Sequence, residues 1–251
     1  MQDNYVGDIG DYGKYGLLRA ITASGLSLAV NWYHVISKEP HEKKCAIPKT
    51  LSSIRGDGKY ISYLGNPEKY RHYDPELFDC LIQIVTQNRC LDALQESGIL
   101  NAKFFANPLI KADRPQWHRK ALEETAAEKV VFLDPDNGLE TYNMAQRRRA
   151  TAKHVAWSEV QDYYRRGQSV ILYQHRPQRT KKESCIQRVL EFQNTYLQAD
   201  QTLLLEYPLY TNRYYFLFSH QSHLPYLEQA YQSVTQNWEG ICRPVALCKE
   251  S

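Results

Sequence analysis

Two carboxylates two positions apart, Asp134 and Asp136, stand beside Asn137 in the run Val130-Val131-Phe132-Leu133-Asp134-Pro135-Asp136-Asn137-Gly138-Leu139-Glu140. Carboxylates at that spacing can share a divalent cation. With Glu140 as a further oxygen donor, a bound Mg²⁺ would serve a phosphodiesterase, nuclease or phosphatase. The same stretch also reads as ordinary turn chemistry, with Asx side chains capping backbone groups and Gly138 supplying a positive φ. A second cluster follows Ser169-Val170-Ile171-Leu172-Tyr173: Gln174, His175, Arg176, Arg179, Lys181 and Lys182. A cationic strand end facing an acidic one suits a polyanionic substrate, with Arg176 and Arg179 on its phosphates. In the metal-dependent reading, His175 with Arg176 handles the phosphate. The plainer reading makes residues 176–182 the solvated first turn of a helix over 181–197 and His175 structural.

Both clusters need a scaffold that delivers them to one edge. Val130 to Leu133 is apolar without alternation, the signature of a strand buried on both faces. In an open α/β sheet, ligands gather beyond the carboxyl ends of such strands. A helical pattern over 114–127 leads into it, another runs from Trp157 to Arg166, and the strand at Ser169 follows, so helix and strand alternate. Upstream, Leu26 to Val35 reads as the first strand, with Asn31, Trp32 and Tyr33 near its carboxyl end. Tyr60 to Leu64 reads as a short strand or hairpin arm, and Lys103 to Ala106 as a strand. Asp74 caps a helix that begins at Pro75 and presents Leu77, Leu81 and Ile84 on one face. A short helix over Leu91 to Leu94 ends near Gly98. At the start, Gly7 to Ile21 begins as a glycine-rich loop and becomes a helix, with Asp11 as N-cap and Leu17, Leu18 and Ile21 on one face. Glycines at a helix start let an anion approach backbone N–H groups, and Lys14 adds a charge, although the spacing is not that of a phosphate-binding P-loop. Leu203 to Tyr207 and Arg213 to Phe218 form an antiparallel hairpin turning at Thr211-Asn212, and Pro225 to Val234 a last helix. The fold expected is α/β: a Rossmann-like three-layer sheet with a terminal antiparallel hairpin, one domain over 1–251 with a polar insertion near 37–58.

The chain's 251 residues are 43% hydrophobic and 24% charged, which excludes disorder as the main state. No apolar run approaches the roughly 20 residues that span a bilayer, and the first residues lack a signal-peptide pattern, so no membrane partner and a cytoplasmic location are expected. The six cysteines include no C-x-x-C pair and no zinc spacing; reduced thiols and no structural zinc are expected. A net charge of +3 permits a nucleic-acid partner, and nineteen tyrosines supply core packing and surfaces on which bases stack.

In this order, the chain resembles the ribosomal RNA large-subunit adenine-N6 methyltransferases that carry an N-terminal H-A-G-N-x-A-D-x-x-K-H signature. The segment Val6 to Tyr15 keeps its spacing with Gly7, Asp11 and Lys14, and Val130 to Asp136 looks like the strand bearing that family's D-P-P-[YF] tetrapeptide. Asp136 and Asn137 stand in place of the second proline and the aromatic residue, and no glycine-rich turn follows the first strand. Gly167 to Tyr173 and Leu204 to Glu206 are similar to the family's next strands, and the chain is also similar to the methyltransferase-like partners of three-Cys-motif proteins. The resemblance implies S-adenosylmethionine bordered by Asp11, Lys14, Asn31, Trp32 and Tyr33. It further implies that Asp134, with Asp136 and Asn137 at the base clamp, accepts hydrogen bonds from a base amine as the amine takes the methyl group. Beside this reading and the Mg²⁺-dependent nuclease stands a third, a non-catalytic module that binds nucleic acid or a protein.

Overall fold

A computed structural model describes residues 2–35, 60–147 and 150–247. The expected polar insertion near 37–58 and two arginines of the 147–149 run lie outside the described residues. The strands are, in chain order, Leu28–Asn31 (β1), Lys103–Phe105 (β2), Val130–Leu133 (β3), Gly138–Leu139 (β4), His154–Val155 (β5), Ser169–His175 (β6), Gln201–Tyr207 (β7), Arg213–Ser219 (β8) and Arg243–Pro244 (β9). The helices are Ile9–Ala23 (α1), Pro67–Tyr70 (α2), Pro75–Gln87 (α3), Leu91–Glu96 (α4), Arg114–Glu124 (α5), Tyr142–Gln146 (α6), Trp157–Arg165 (α7), Lys182–Phe192 (α8) and Leu224–Asn237 (α9).

The main sheet has the order β2-β1-β3-β6-β8-β7-β9, and β4 pairs with β5 separately. β2, β1, β3 and β6 are parallel, β8 runs against both β6 and β7, and β9 against β7. The sheet is therefore mostly parallel, and the α/β arrangement is compatible with a Rossmann-like fold. The expected hairpin is β7–β8, whose second strand inserts beside β6. The path steps outward from β1 to β2 and then returns to the other flank of β1 for β3, so strand order reverses between β1 and β3. Reversals of this kind open a crevice at the carboxyl ends of the two strands.

Strand alternation sorts the core into two layers. Leu28, Val30, Val130, Phe132, Ile171 and Tyr215 pack toward α1, α3 and α9. Ala29, Val131, Leu133, Val170, Leu172 and Phe216 pack toward α5, α7 and α8. Each fully buried large apolar side chain contributes about 1.5–3 kcal/mol, so the central strands anchor both layers. Tyr60 to Leu64, expected as a strand, is instead a turn leading into a 3-10 segment, Ser62–Gly65; its Tyr63 and Leu64 are buried against the α1 layer and form no ladder.

Helix α1 starts earlier than its sequence suggests. Asp8 rather than Asp11 is the N-cap: its Oδ1 accepts from the Gly10 and Asp11 N–H groups at 2.7 and 2.9 Å. The glycines expected in a loop therefore lie inside the helix. A Cβ at Gly10, Gly13 or Gly16 would strike Arg213, Tyr207 or Trp238 respectively, so these glycines let β7, β8 and the end of α9 approach the helix backbone. Residues 9–18 of α1 are buried all round, polar ones included. A helix in that position must neutralise every charge it carries.

Candidate functional site

The parity that directs Val130 and Phe132 toward α1 also directs Asp134, one residue beyond β3. The Asp134 N–H donates to the Asn31 carbonyl at 3.0 Å, tying the ends of β3 and β1 together at the reversal. Its Oδ2 meets Lys14 Nζ at 2.9 Å, and the same ammonium donates to Asp11 Oδ1 at 2.8 Å. Tyr15 Oη donates to Asp11 Oδ2 at 2.7 Å. The ammonium also lies 5.7, 5.9 and 5.8 Å from the ring centroids of Tyr15, Trp32 and Tyr173, within cation–π range of all three. One helical turn earlier, Asp8 Oδ2 is 3.5 Å from Arg213, whose guanidinium also donates to the Leu209 and Thr211 carbonyls.

Lys14 is 3% and Asp134 2% exposed, so the cluster is an ionic site inside the protein. Burial alone would depress the Lys14 ammonium, but Asp11 and Asp134 reverse the effect and hold it well above its ordinary value, so it stays charged. Burial pushes the Asp134 carboxyl up against the pull of Lys14, and the Asp8 carboxyl up against the pull of Arg213. The Tyr173 phenol is pushed to about 12, chiefly by burial. The arrangement fixes a carboxylate acceptor at the strand-order reversal and surrounds the Lys14 ammonium with electron-rich ring faces and carboxylates.

Of the residues expected around a cofactor, Asp11, Lys14 and Trp32 converge here. Asn31 and Tyr33 do not, because alternation along β1 turns them to the opposite layer. Asn31 Nδ2 donates to Tyr163 Oη at 3.1 Å, its Oδ1 accepts from the Tyr33 N–H at 3.1 Å, and Tyr33 Oη donates to Glu159 Oε2 at 2.9 Å. Arg114 grips the same Glu159 carboxylate at 2.6 and 2.8 Å. Tyr33 has φ +47°, a left-handed conformation where the first strand of such a fold would ordinarily give way to glycine.

The acidic turn separates the three expected metal ligands. Asp134 faces Lys14; Asp136 accepts from Gln2 Nε2 at 3.0 Å and lies 3.7 Å from Lys153; Glu140 Oε1 accepts from the Trp157 N–H at 2.7 Å. Among the described residues, no group of three or more His, Cys, Asp or Glu side chains is placed to hold a metal ion. Gly138 takes the expected positive φ of +100°. Asn137 joins the turn through its backbone, its N–H donating to the Lys153 carbonyl and its carbonyl accepting from Gln174 Nε2. Gln174 Oε1 takes the Leu139 N–H at 3.0 Å, so this side chain locks the turn.

His175 stands in the ladder opposite Arg213 and is half-buried. Burial, then Arg213 and Arg176, hold its imidazole below the ordinary value. Arg176 is half-buried with its N–H on the Asn212 carbonyl, and Arg179 is exposed. Asp8, Tyr173, Arg213 and Gln174 are site residues the sequence did not single out for these roles. The signal for Tyr173 and Arg213 lay in strand parity, two residues from Ile171 and Tyr215.

No helix among the described residues is long and apolar enough to cross a membrane. No protein-family model matches the chain, and no curated protein is significantly similar to it in sequence.

Proposed function

We propose that the chain is a methyltransferase-like protein directed at a base amine of nucleic acid, with S-adenosylmethionine as methyl donor. One observation carries the reading: the two segments that resemble the adenine-N6 methyltransferases, Gly7–Asp11–Lys14 and Val130 to Asp136, meet at 2.9 Å through Lys14 and Asp134. They do so at the strand-order reversal, where α/β folds of this kind place their ligands. The carboxylates of Asp11 and Asp134 and the faces of Tyr15, Trp32 and Tyr173 make a cation site already engaged by Lys14, and a sulfonium beside it would draw on the same two carboxylates. When bound, the cofactor supplies an electrophilic methyl group. The chain's own part is to hold the amine: Asp134 accepts its hydrogen bonds, Lys14 fixes the orientation of that carboxylate, and Asp11 with Tyr15 fixes Lys14.

A second reading, a catalytically silent binding module, is favoured by a different observation. Asn31, Trp32 and Tyr33 are each fully buried, so the protein's own side chains fill the end of β1, with Lys14 among the rings. Calorimetric titration with S-adenosylhomocysteine separates the two. Saturable heat at a stoichiometry of about one, lost in Trp32→Ala, supports the methyltransferase-like reading; a flat titration of folded protein leaves the binding module.

A further inference from the structure

A shelf of aromatic rings hangs from the turn that carries Asp134. Trp157, at the start of α7, lies 4.7 Å from Tyr196, 5.3 Å from Phe192 and 6.0 Å from Tyr142 by ring centroids. Tyr142 and Tyr196 are 55% and 41% exposed, a grouping of open rings that core packing does not require. Their placement is built into the fold. The Trp157 indole N–H donates to the Glu140 carbonyl at 3.0 Å and its backbone N–H to Glu140 Oε1 at 2.7 Å. At the end of α8 the chain passes into a π-helical turn, Gln193–Leu197, of the kind that often marks functional positions. This turn sets Tyr196 against the indole, and Gln161 Nε2 secures it by donating to the Tyr196 carbonyl at 2.9 Å.

Two arginines come together on the α8 side of the rings, since Arg188 and Arg176 both act on Cys185 of that helix. Arg188 lies one helical turn before Phe192 on α8, and its Nε is buried without a hydrogen-bond partner among the described residues. Arg176 likewise forms no ion pair with any described carboxylate. The field reaches the neighbours: after burial, Arg188 and Arg114 hold the His154 imidazole below its ordinary value, and Arg188 with Arg176 acts on the Cys185 thiol.

We infer that this shelf binds an unpaired polynucleotide strand, with bases stacked on the exposed rings of Tyr196 and Tyr142, which Trp157 backs, and phosphates against Arg188 and Arg176. Ring faces accept any base, but only a strand whose bases are unstacked can offer them, while the arginines supply the sequence-independent attraction. The inference rests on the nucleic-acid part of the reading above and is independent of methyl transfer.

Fluorescence anisotropy of the full chain, without S-adenosylmethionine, with labelled oligo(U), oligo(dT) and a blunt duplex of equal length tests it. Single strands bind about tenfold or more tighter than the duplex, and Trp157→Ala and Tyr196→Ala each weaken binding by roughly fivefold or more. Trp157→Phe retains most of the affinity, and Arg188→Gln reduces the salt slope by about one. Tyr196 is an exposed position, so its variant stays informative if Trp157→Ala fails to fold. Equal affinity for duplex and single strand, no binding to either, or wild-type affinity in Tyr196→Ala overturns the inference. Strand binding by a chain that takes up no S-adenosylhomocysteine would sink the cofactor reading alone.

Discussion

Lys14 and Asp134 are 120 positions apart in sequence and 2.9 Å apart in the fold, and each is almost wholly withdrawn from water. The contact joins α1 to the end of β3 and contributes to the charge balance of the α1 layer. Asp11 shares the same ammonium, so one cation serves two buried carboxylates.

Removing that cation takes the shared ammonium away from both buried carboxylates. Lys14→Met is expected to lower stability by about 3–5 kcal/mol, the usual cost of breaking a buried ion pair from one side. Adding Asp134→Asn to it restores part of the loss, because one stranded charge goes with it. Urea denaturation of the two single variants and the double variant measures the coupling. A Lys14→Met chain within about 1 kcal/mol of wild type would show that the pair does not hold the layer together.

The far edge of the sheet should be acid-sensitive. Glu206 is fully buried, yet Arg243 at 2.8 Å and Lys182 at 2.6 Å overcome the effect of burial and hold its carboxyl below the ordinary 4.5. A carboxyl depressed in the folded state contributes stability that is present above its unfolded value and lost as pH falls through its folded one. Asp8 and Asp134, raised in the folded state, act with the opposite sign: their contribution is present below their unfolded value and is lost as pH rises through the folded one. Thermal melts between roughly pH 3 and 6 should therefore show a Tm that falls with acidification in wild type and falls less steeply in Glu206→Gln. Parallel profiles would remove the Glu206 clamp as a source of acid sensitivity.

Close approach rather than loop flexibility explains the glycines of α1, and the sign of a substitution tests this. In an exposed helix interior, Gly→Ala gains about 1 kcal/mol. Gly13→Ala should instead lose about 1–3 kcal/mol, since the new methyl meets the Tyr207 ring, and Tyr207→Leu in the same chain should relieve part of the loss. A stabilising Gly13→Ala, read by chemical denaturation, would mean that α1 stands farther from β7.

Much of the scaffold was legible in the sequence because its signals are local. Unbroken apolar runs at Val130 and Ser169, Asp74-Pro75 at a helix start and the Leu203 and Arg213 segments each announce their own element. The site was legible only in part. Asp134, Asp11 and Lys14 were singled out, but an apolar run buried on both faces does not reveal its parity. Nothing therefore indicated that Trp32 would join Lys14 while Asn31 and Tyr33 turned to the α7 layer. Capping was misplaced for a related reason: with Asp8 and Asp11 both near the start of α1, sequence preference does not choose between them, and the burial of the whole first turn does. Asp136 and Glu140 looked like partners of Asp134 by spacing, but the turn at Gly138 sends each carboxylate to a different neighbour.

The most direct test of the central claim follows the methyl group. The purified chain is incubated with S-adenosylmethionine carrying a tritiated methyl group and with total RNA or denatured DNA, and the nucleic acid is then digested and its nucleosides resolved by mass. The account predicts label on an exocyclic base amine, reduced about 10²-fold or more in Asp134→Ala, because the acceptor that aligns the amine is gone. Label no higher than in protein-free controls on every nucleic acid offered, from a chain that is folded and binds those strands, would contradict it.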